Sequence, residues 1–437
     1  MGYRASFFLY FYPKNNQVIL HFFKKNHFAL SLLFALTVIL FAGCNPALNI
    51  TGLDISSLYS GNKENAIQLN QLYNLNDSVT TISIQLPSGL IQPDPGTKKY
   101  TKKGTLKYEV IGEGNRVGLI DSATFYIADT ADNQNYISHN WTFKAYSGMD
   151  YFVKASYSVP GILDDFVLLE YFSKKNHLCQ SWYRFQLETG EFISGNSTAF
   201  SQPVRLVTTD TARMKFLVKL YSRNFQTPIP PFVDQYRAPF NYKPDSTFYI
   251  DLTQGKTAYF VPEALGFYFF QVDTAKMIGP SLFRMNFGFP KVTMHSLMRE
   301  SLCYITSNKE FEQLNSYLIP KIAVDSFWVV NAGRPDLATE LIRKYYKRVE
   351  TANLLYTSFT DGWKTDRGMI YIIMGKPNKV FRSFQQEIWI YGEYEDPRAL
   401  KFYFNKAQNP FTNNDYVLSR NSFYKAIWYQ NVQLWRR

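Results

Sequence analysis

The segment "DGWKTDRG", residues 361–368, places two carboxylates, a lysine and an arginine within a short stretch. A pair of carboxylates can transfer protons as a general acid and a general base, so Asp361 and Asp366 are candidate catalytic residues. The neighbouring Lys364 and Arg367 are expected to lower the pKa of both carboxyl groups. Permanently charged carboxylates suit a structural role better than proton transfer. We therefore favour the structural interpretation and assign no catalytic residue.

Every residue type in this segment has a structural use. Gly362 and Gly368 can adopt positive φ and so permit a tight chain reversal. Trp363 is large enough to fill the side of a domain, and its ring N–H needs a partner when buried. The remaining polar side chains can cap the turn or bridge its charges: Asp361, Thr365, Asp366 and Arg367.

Other polar motifs predict turns and loops, without a metal or cofactor site. The glycines of "GEGNRVG", residues 112–118, have the wrong spacing for a dinucleotide-binding loop, and the segment predicts a hairpin turn. The segment "DTADNQN" from Asp129 offers oxygen ligands but lacks the glycine and the terminal glutamate of a calcium loop. The histidines after residue 44 lie outside any zinc-binding pattern: His139, His177 and His295.

The N-terminus has the features of a secretory signal. Basic residues, with no acidic residue among them, precede an apolar stretch at residues 28–42. This stretch is shorter than the roughly 20 residues that cross a bilayer as a helix. It ends with Ala42 and Gly43 before Cys44. That ending resembles the lipobox of bacterial lipoproteins, which implies a signal peptide at residues 1–43 and lipidation of Cys44.

The location and the charge of the chain limit its partners. Acyl chains on Cys44 would anchor the protein to a membrane. The next residues, "NPALN", include no acidic residue, and by resemblance to lipoprotein sorting signals they favour the periplasmic face of the outer membrane. The net charge is +12, and residues 291–437 contain 21 Lys and Arg against 14 Asp and Glu. We therefore expect anionic lipids, cell-wall carboxylates or an acidic protein face as partners, and no nucleic acid.

The central part of the chain predicts β-sandwiches. From residue 79 to 289, short alternating runs such as "TLKYEVI", "FVLLEYF" and "MKFLVKLYS" are separated by turn residues. Regular short strands without intervening helices are typical of β-sandwiches. We predict one β-sandwich domain at residues 44–208 and a second at residues 209–290. Cys179 and Cys303 lie in segments of different character, and we expect both to be free thiols.

Helical patterns begin after residue 290 and predict a helical connector at residues 291–358. The clearest helix covers residues 335–356, where Pro335 suits the first turn. One apolar stripe runs along this helix: Leu337, Leu341, Tyr345, Val349 and Ala352. The basic residues beside the opposite face are either a solvated surface or a patch for an acidic partner.

The C-terminal segment, residues 359–437, predicts an α+β domain. "MIYIIM", residues 369–374, is apolar on both faces, as expected of a buried strand. "QEIWIY", "ALKFYF" and "DYVLS" predict further strands. Tyr424, Trp428, Val432 and Trp435 share one side of a terminal helix, so we expect this helix to pack against the domain.

A short sequence recurs in the β-rich part. Asp followed by Ser or Thr and then by Ala, Val or Thr occurs at Asp77, Asp121, Asp129, Asp210, Asp245 and Asp273. Average composition predicts on the order of one such occurrence. The sequence resembles the acceptor of a periplasmic O-glycosylation system of Gram-negative bacteria. Asp-Ser and Asp-Thr also favour turns between strands, so O-glycans and plain turns both remain open.

The C-terminal third also resembles a known family. "DGWKTDRGMIYIIMGKPNKV", followed by "EIWIY" and "KFYF", is similar to the GWxTD domain, a family named for this motif. The resemblance extends over residues 301–437. Gly362, Trp363, Thr365 and Asp366 match the name-giving positions. It implies a multidomain outer-membrane lipoprotein whose N-terminal sheets are immunoglobulin-like, and it supplies no catalytic residue.

Three functions fit this sequence. The favoured hypothesis is a non-catalytic binding or scaffold subunit of a cell-envelope complex. Its docking surface would include the motif: Gly362, Trp363, Thr365, Asp366 and Arg367. The first alternative is an enzyme that acts on cell-wall or carbohydrate polymer through Asp361 or Asp366. The second is a structural spacer.

Overall fold

Alternating apolar and polar residues form the first eight strands. In a computed structural model of the chain, the described residues are 54–61, 66–86, 92–93, 100–113, 118–131, 137–235 and 237–436. The predicted signal peptide and Cys44 lie outside these residues, as does most of the segment after Asp129. The strands are β1 Gln68–Asn74, β2 Val79–Leu86, β3 Gln92–Pro93, β4 Tyr100–Gly112, β5 Gly118–Ala131, β6 Ile137–Lys144, β7 Asp150–Ser158 and β8 Phe166–Ser173.

These strands form two antiparallel sheets that enclose one core, which we call the first lobe. One sheet has the order β1-β2-β6, and the other has the order β3-β4-β7-β8 with β5 paired to β4. Ile82, Trp141, Val110 and Val153, from both sheets, belong to one buried cluster. Gly112 pairs with Gly118 across β4 and β5, as expected of the predicted hairpin, whose turn residues 114–117 lie outside the described residues.

The next eight strands form one continuous sheet, the second lobe. They are β9 Arg184–Leu187, β10 Ser197–Thr198, β11 Val204–Val207, β12 Met214–Tyr221, β13 Ser246–Thr253, β14 Lys256–Thr257, β15 Gly266–Gln271 and β16 Ser281–Arg284. Their order is β10-β16-β15-β12-β13-β14-β11-β9. Strands from both sides of residue 208 therefore share this sheet. The change from one sheet system to the next falls between β8 and β9, upstream of the predicted boundary.

Helices follow, as the sequence predicts. They are α1 His295–Ser301, α2 Asn308–Ser316, α3 Pro320–Ala332 and α4 Pro335–Tyr356. Along α4, the predicted apolar stripe is buried from Leu341 to Ala352. Helix α3 is absent from the sequence predictions. Pro320 at its start and Gly333 in the left-handed region at its end mark its bounds.

The chain ends in a small α+β unit that, together with α1–α4, forms the C-terminal lobe. Its elements are α5 Asp366–Met374, β17 Lys379–Arg382, β18 Gln386–Tyr391, β19 Leu400–Lys406, β20 Tyr416–Leu418 and α6 Tyr424–Gln433. The predicted strand at residues 369–374 is wrong, since this segment lies in α5. A segment that is apolar on all sides fits a fully buried helix as well as a buried strand. The three later strands and the terminal helix are confirmed.

The three lobes contact one another pairwise. Between the first and second lobes, Arg184 Nη1 of β9 donates to Gln71 Oε1 of β1 at 3.3 Å. Phe152 of the first lobe lies 4.8 Å from Phe384 of the C-terminal lobe, measured between ring centroids. Phe411 of the C-terminal lobe packs 4.7 Å from Phe267 of the second lobe. Each lobe is therefore held by the other two.

Residues 54–61, which we call the strap, pack on the C-terminal lobe although they precede the first lobe in sequence. The Ile55 N–H donates to the Val380 carbonyl at 2.9 Å, and the Val380 N–H donates to Asp54 Oδ1 at 2.9 Å. The Tyr59 hydroxyl donates to Glu387 Oε1 at 2.7 Å. Ile55 and Tyr59 belong to the buried core of that lobe. The strap therefore completes the C-terminal lobe.

Two findings concern membranes and thiols. Among the residues that the structure describes, no helix has the length and apolarity needed to span a membrane. Cys179 and Cys303 are free, as predicted.

The Tyr59 hydroxyl gives the first testable prediction. Tyr59→Phe removes a donor to the buried Glu387 carboxylate and should cost about 1–3 kcal/mol of unfolding free energy. Urea unfolding followed by tryptophan fluorescence measures this difference. Tyr126→Phe is the control, since Tyr126 is exposed and should change stability by less than about 0.5 kcal/mol. Equal stability of the Tyr59→Phe variant and wild type would contradict docking of the strap.

Candidate functional site

The two motif glycines allow the chain to approach helix α4 very closely. A Cβ on Gly362 would lie 2.0 Å from the Ala352 carbonyl oxygen of α4. A Cβ on Gly368 would lie 1.9 Å from the Gly362 carbonyl oxygen. Neither glycine has positive φ. The expectation of a left-handed reversal is therefore wrong, and the reason for glycine at both positions is lack of space for a side chain.

Thr365 caps the buried helix α5. Its hydroxyl accepts from the Gly368 N–H at 3.1 Å and donates to the Gly362 carbonyl at 2.7 Å. The first bond satisfies a backbone donor that has no partner within the helix. Thr365 thus joins both glycines in one turn, and its predicted role as a turn cap is confirmed.

Trp363 fills the space between this turn and the helices. Its side chain is only 1% exposed. Its backbone N–H donates to Asn353 Oδ1 on α4 at 3.2 Å, and its carbonyl accepts from the Tyr304 hydroxyl at 2.7 Å. The Tyr304 ring packs against the indole at 6.2 Å. Trp363 is therefore part of the core, as expected from its size.

Asp366 holds strand β20 and its following loop. Its carboxylate accepts from the Leu418 N–H at 2.9 Å and from Arg420 Nη2 at 2.6 Å. Burial raises the pKa of Asp366, and Arg420 opposes this effect. The sequence-based expectation of a lowered pKa is wrong, because desolvation exceeds the attraction of the nearby cation. The partner also differs from expectation: it is Arg420, which lies far from Asp366 in sequence.

Arg367 belongs to a buried charge network centred on Glu387. The guanidinium donates through Nη1 to Glu387 Oε2 at 3.2 Å, and Arg382 Nε donates to the same oxygen at 2.9 Å. Tyr59 and Trp389 donate to Glu387 Oε1 at 2.7 and 2.6 Å. Burial alone would raise the pKa of Glu387, but these cations and donors lower it to about 2. Glu387 is thus a permanent anion. Sequence reasoning missed Glu387, since its partners lie in distant segments.

Lys364 and Asp361 lie at the contact with the second lobe. The Lys364 ammonium donates to Asn224 Oδ1 at 2.7 Å and lies 3.0 Å from Glu300 Oε2. Burial raises the pKa of Asp361, with Lys364 opposing this shift. Asp361 and Asp366 interact with different cations and share no partner. The structure therefore does not assemble the two carboxylates into an acid–base pair.

A second candidate site is a cleft of about 1750 Å³ enclosed by the three lobes, which we call the central cleft. Tyr171 of the first lobe, Phe192 of the second lobe and Lys406 of the C-terminal lobe contribute to its walls. The sequence shows no motif for it, because the lining residues come from separate segments. Within the described ranges, no group of three or more His, Cys, Asp or Glu side chains could hold a metal ion.

Comparison with known proteins identifies the C-terminal part. Residues 266–437 match the family model of the GWxTD domain, so the chain carries a GWxTD domain. The match begins at β15 and covers the end of the second lobe together with the whole C-terminal lobe. It starts earlier than the resemblance at residues 301–437. No curated protein matches the chain.

The two motif aspartates give the second prediction. Asp366→Asn leaves Arg420 buried without an anion and should lower the unfolding free energy by about 3–5 kcal/mol. Asp361→Asn is the matched control. Burial of Asp361 disfavours its charged form, and Lys364 still pairs with Glu300 in this variant. The unfolding free energy should therefore fall by less than about 1 kcal/mol. Thermal and urea unfolding of both variants measure these effects. An Asp366→Asn variant that is fully stable but inactive in cells would instead favour an enzyme.

Proposed function

We propose that the chain is a lipoprotein of the outer membrane, anchored through Cys44 and facing the periplasm, because an apolar stretch at residues 28–42 ends just before Cys44. There it acts as a non-catalytic binding and scaffold subunit of a cell-envelope complex. One observation carries this proposal: the motif residues are used to hold the protein's own segments together. Gly362 and Thr365 fix the turn on α4, and Asp366 and Arg367 hold strands of the C-terminal sheet.

The position of the strap supports the scaffold role. Nine residues, 45–53, separate Cys44 from the first described residue, Asp54. An extended residue spans at most about 3.5 Å, so the ten steps from Cys44 to Asp54 reach at most about 35 Å. An acyl group on Cys44 would therefore keep the GWxTD domain close to the bilayer. The other two lobes would then be presented from a fixed base.

The alternative of an enzyme acting on cell-wall or carbohydrate polymer has less support. Asp366 is 7% exposed, and its carboxylate is occupied by Arg420 and the Leu418 N–H. A substrate could reach it only after this ion pair had opened. A structural spacer would depend on the same contacts within the protein as a scaffold. The two roles differ because a spacer binds no partner.

We further propose that the first lobe is an immunoglobulin-like sandwich and that the β-rich lobes carry O-glycans. Two facing antiparallel sheets support the immunoglobulin-like sandwich.

The exposure of the acceptor residues supports the O-glycans. Five of the six recurrent hydroxyl residues are described and exposed: Ser78, Ser122, Thr211, Ser246 and Thr274. The turn interpretation has support of its own, because Asp210 and Asp273 each accept from a backbone N–H two residues later, at 2.9 Å.

Intact-mass spectrometry of the native protein tests both modifications. We expect a mass that corresponds to cleavage before Cys44 plus acyl chains, with further sugar increments. A Cys44→Ser variant should lose the acyl mass and appear in the soluble fraction. An unlipidated wild-type mass would overturn the anchor, and the absence of sugar increments would overturn the O-glycans.

Affinity purification from detergent-solubilised outer membranes tests the scaffold role. We expect wild type to retain at least one near-stoichiometric partner. Trp363→Ala removes a buried indole at a cost of about 3–5 kcal/mol and should reduce this retention. Tyr126→Phe, which changes an exposed ring, should retain the partner. No partner above background in wild type would overturn the scaffold role and leave the spacer.

A further inference from the structure

The central cleft is too large to be a site for one small molecule. Its volume is about 1750 Å³, whereas small-molecule sites occupy about 300–1,000 Å³. Contacts between the lobes frame the cleft, among them Phe152 with Phe384 and Gln385 Nε2 with Glu113 Oε1 at 3.0 Å. An extended polymer chain therefore fits it better than a compact ligand.

The walls combine amide groups with aromatic rings. Amide side chains line the cleft from the second lobe and from the C-terminal lobe, among them Asn196, Gln202, Gln408 and Asn413. Each amide can both donate and accept hydrogen bonds, as the hydroxyl groups of a sugar require. Tyr171, Phe192, Phe200 and Tyr242 add flat apolar faces on which sugar rings can stack.

Two cations in the cleft walls have no anionic partner among the described residues. The Arg184 guanidinium lies between the rings of Tyr73 and Phe192, at 4.1 and 4.0 Å from their centroids. Its Nη1 donates to Gln71 at 3.3 Å, while its Nε has no hydrogen-bond partner. The Lys406 ammonium lies 3.3 Å from the centroid of Tyr171. Both cations are held in position by aromatic rings and remain available to a ligand anion.

The other charges of the walls are partly compensated within the protein. Lys175 pairs with Glu113 and with Asp150, each at 2.7 Å, and Arg382 pairs with Glu387. Burial raises the pKa of Glu170 to about 7, with Arg382 opposing this shift. Glu170 therefore contributes only part of a negative charge at neutral pH. The cleft is lined by four cations, Lys175, Arg184, Arg382 and Lys406, and by three carboxyl groups, Glu113, Asp150 and the partly charged Glu170, so its net charge is positive.

We propose that the central cleft binds a carboxylate-bearing polysaccharide chain, with Lys406 and Arg184 pairing to its carboxylates and the amides and aromatic rings binding its sugar rings. This inference rests on the proposed function in one respect, since the cell envelope is where such polymers occur. It adds a ligand of defined chemistry to the scaffold role.

Calorimetric titration of the detergent-purified full chain tests this proposal. The probes are an oligogalacturonate of about ten sugars and its methyl ester, in which methylation removes the carboxylate charge. We expect wild type to bind the acid at least about tenfold more tightly than the ester. Lys406→Gln and Arg184→Gln should each weaken binding of the acid by about tenfold, a loss of about 1.4 kcal/mol. Lys321→Gln, an exposed change on α3, should have no effect.

Other results would overturn the proposal. Absence of binding, equal binding of acid and ester, or equal affinity of the cleft variants and wild type would each do so. Tighter binding of poly-glutamate than of the oligogalacturonate would indicate a protein ligand instead. Each variant must keep the wild-type unfolding midpoint, and Arg184→Gln provides a second test if Lys406→Gln fails to fold. A negative result in this titration would not affect the test of partner retention by affinity purification. The two proposals can therefore be refuted separately.

Discussion

A carboxylate without contact to water must be neutralised by its surroundings, and Glu387 imposes this requirement on the rest of the C-terminal lobe. Its side chain is fully buried, and four side chains satisfy it: Tyr59, Arg367, Arg382 and Trp389. These groups come from the strap, the GWxTD motif and the sheet β17–β20 of the C-terminal lobe. Removing any of them leaves a buried charge partly unpaired. A single anion therefore ties the beginning of the described chain to its C-terminal domain.

The motif supports this network through steric constraints rather than reactivity. Gly362 lies so close to α4, and Gly368 of α5 lies so close to Gly362, that a methyl group at either position would overlap a backbone oxygen atom. That closeness places Arg367 against Glu387 and Asp366 against Arg420. The name-giving residues are thus explained by packing, helix capping and charge compensation. Function can then reside in surfaces that the motif only positions, such as the central cleft.

Local patterns in the sequence predict the elements better than they predict the site. The stripe on α4 and the strand β19 follow from periods of 3.6 and two residues, and both are present. The segment of α5 has no period, since it is buried on every side, and its cap at Thr365 was the signal that could have identified a helix. The pairing of Asp366 with Arg420 and the assembly of the central cleft depend on contacts between distant segments. No local rule encodes such contacts.

The strap has a consequence for the order in which the protein can be completed. Tyr59 leaves the ribosome early, whereas its partner Glu387 lies 328 residues later. The strap can therefore dock only after nearly the whole chain has been synthesised. Closing so large a loop has an entropic cost, which the C-terminal lobe offsets only when its own core is in place. The strap thus docks only once the C-terminal lobe has folded. In a truncated chain that lacks this lobe, residues 54–61 would have no surface on which to dock.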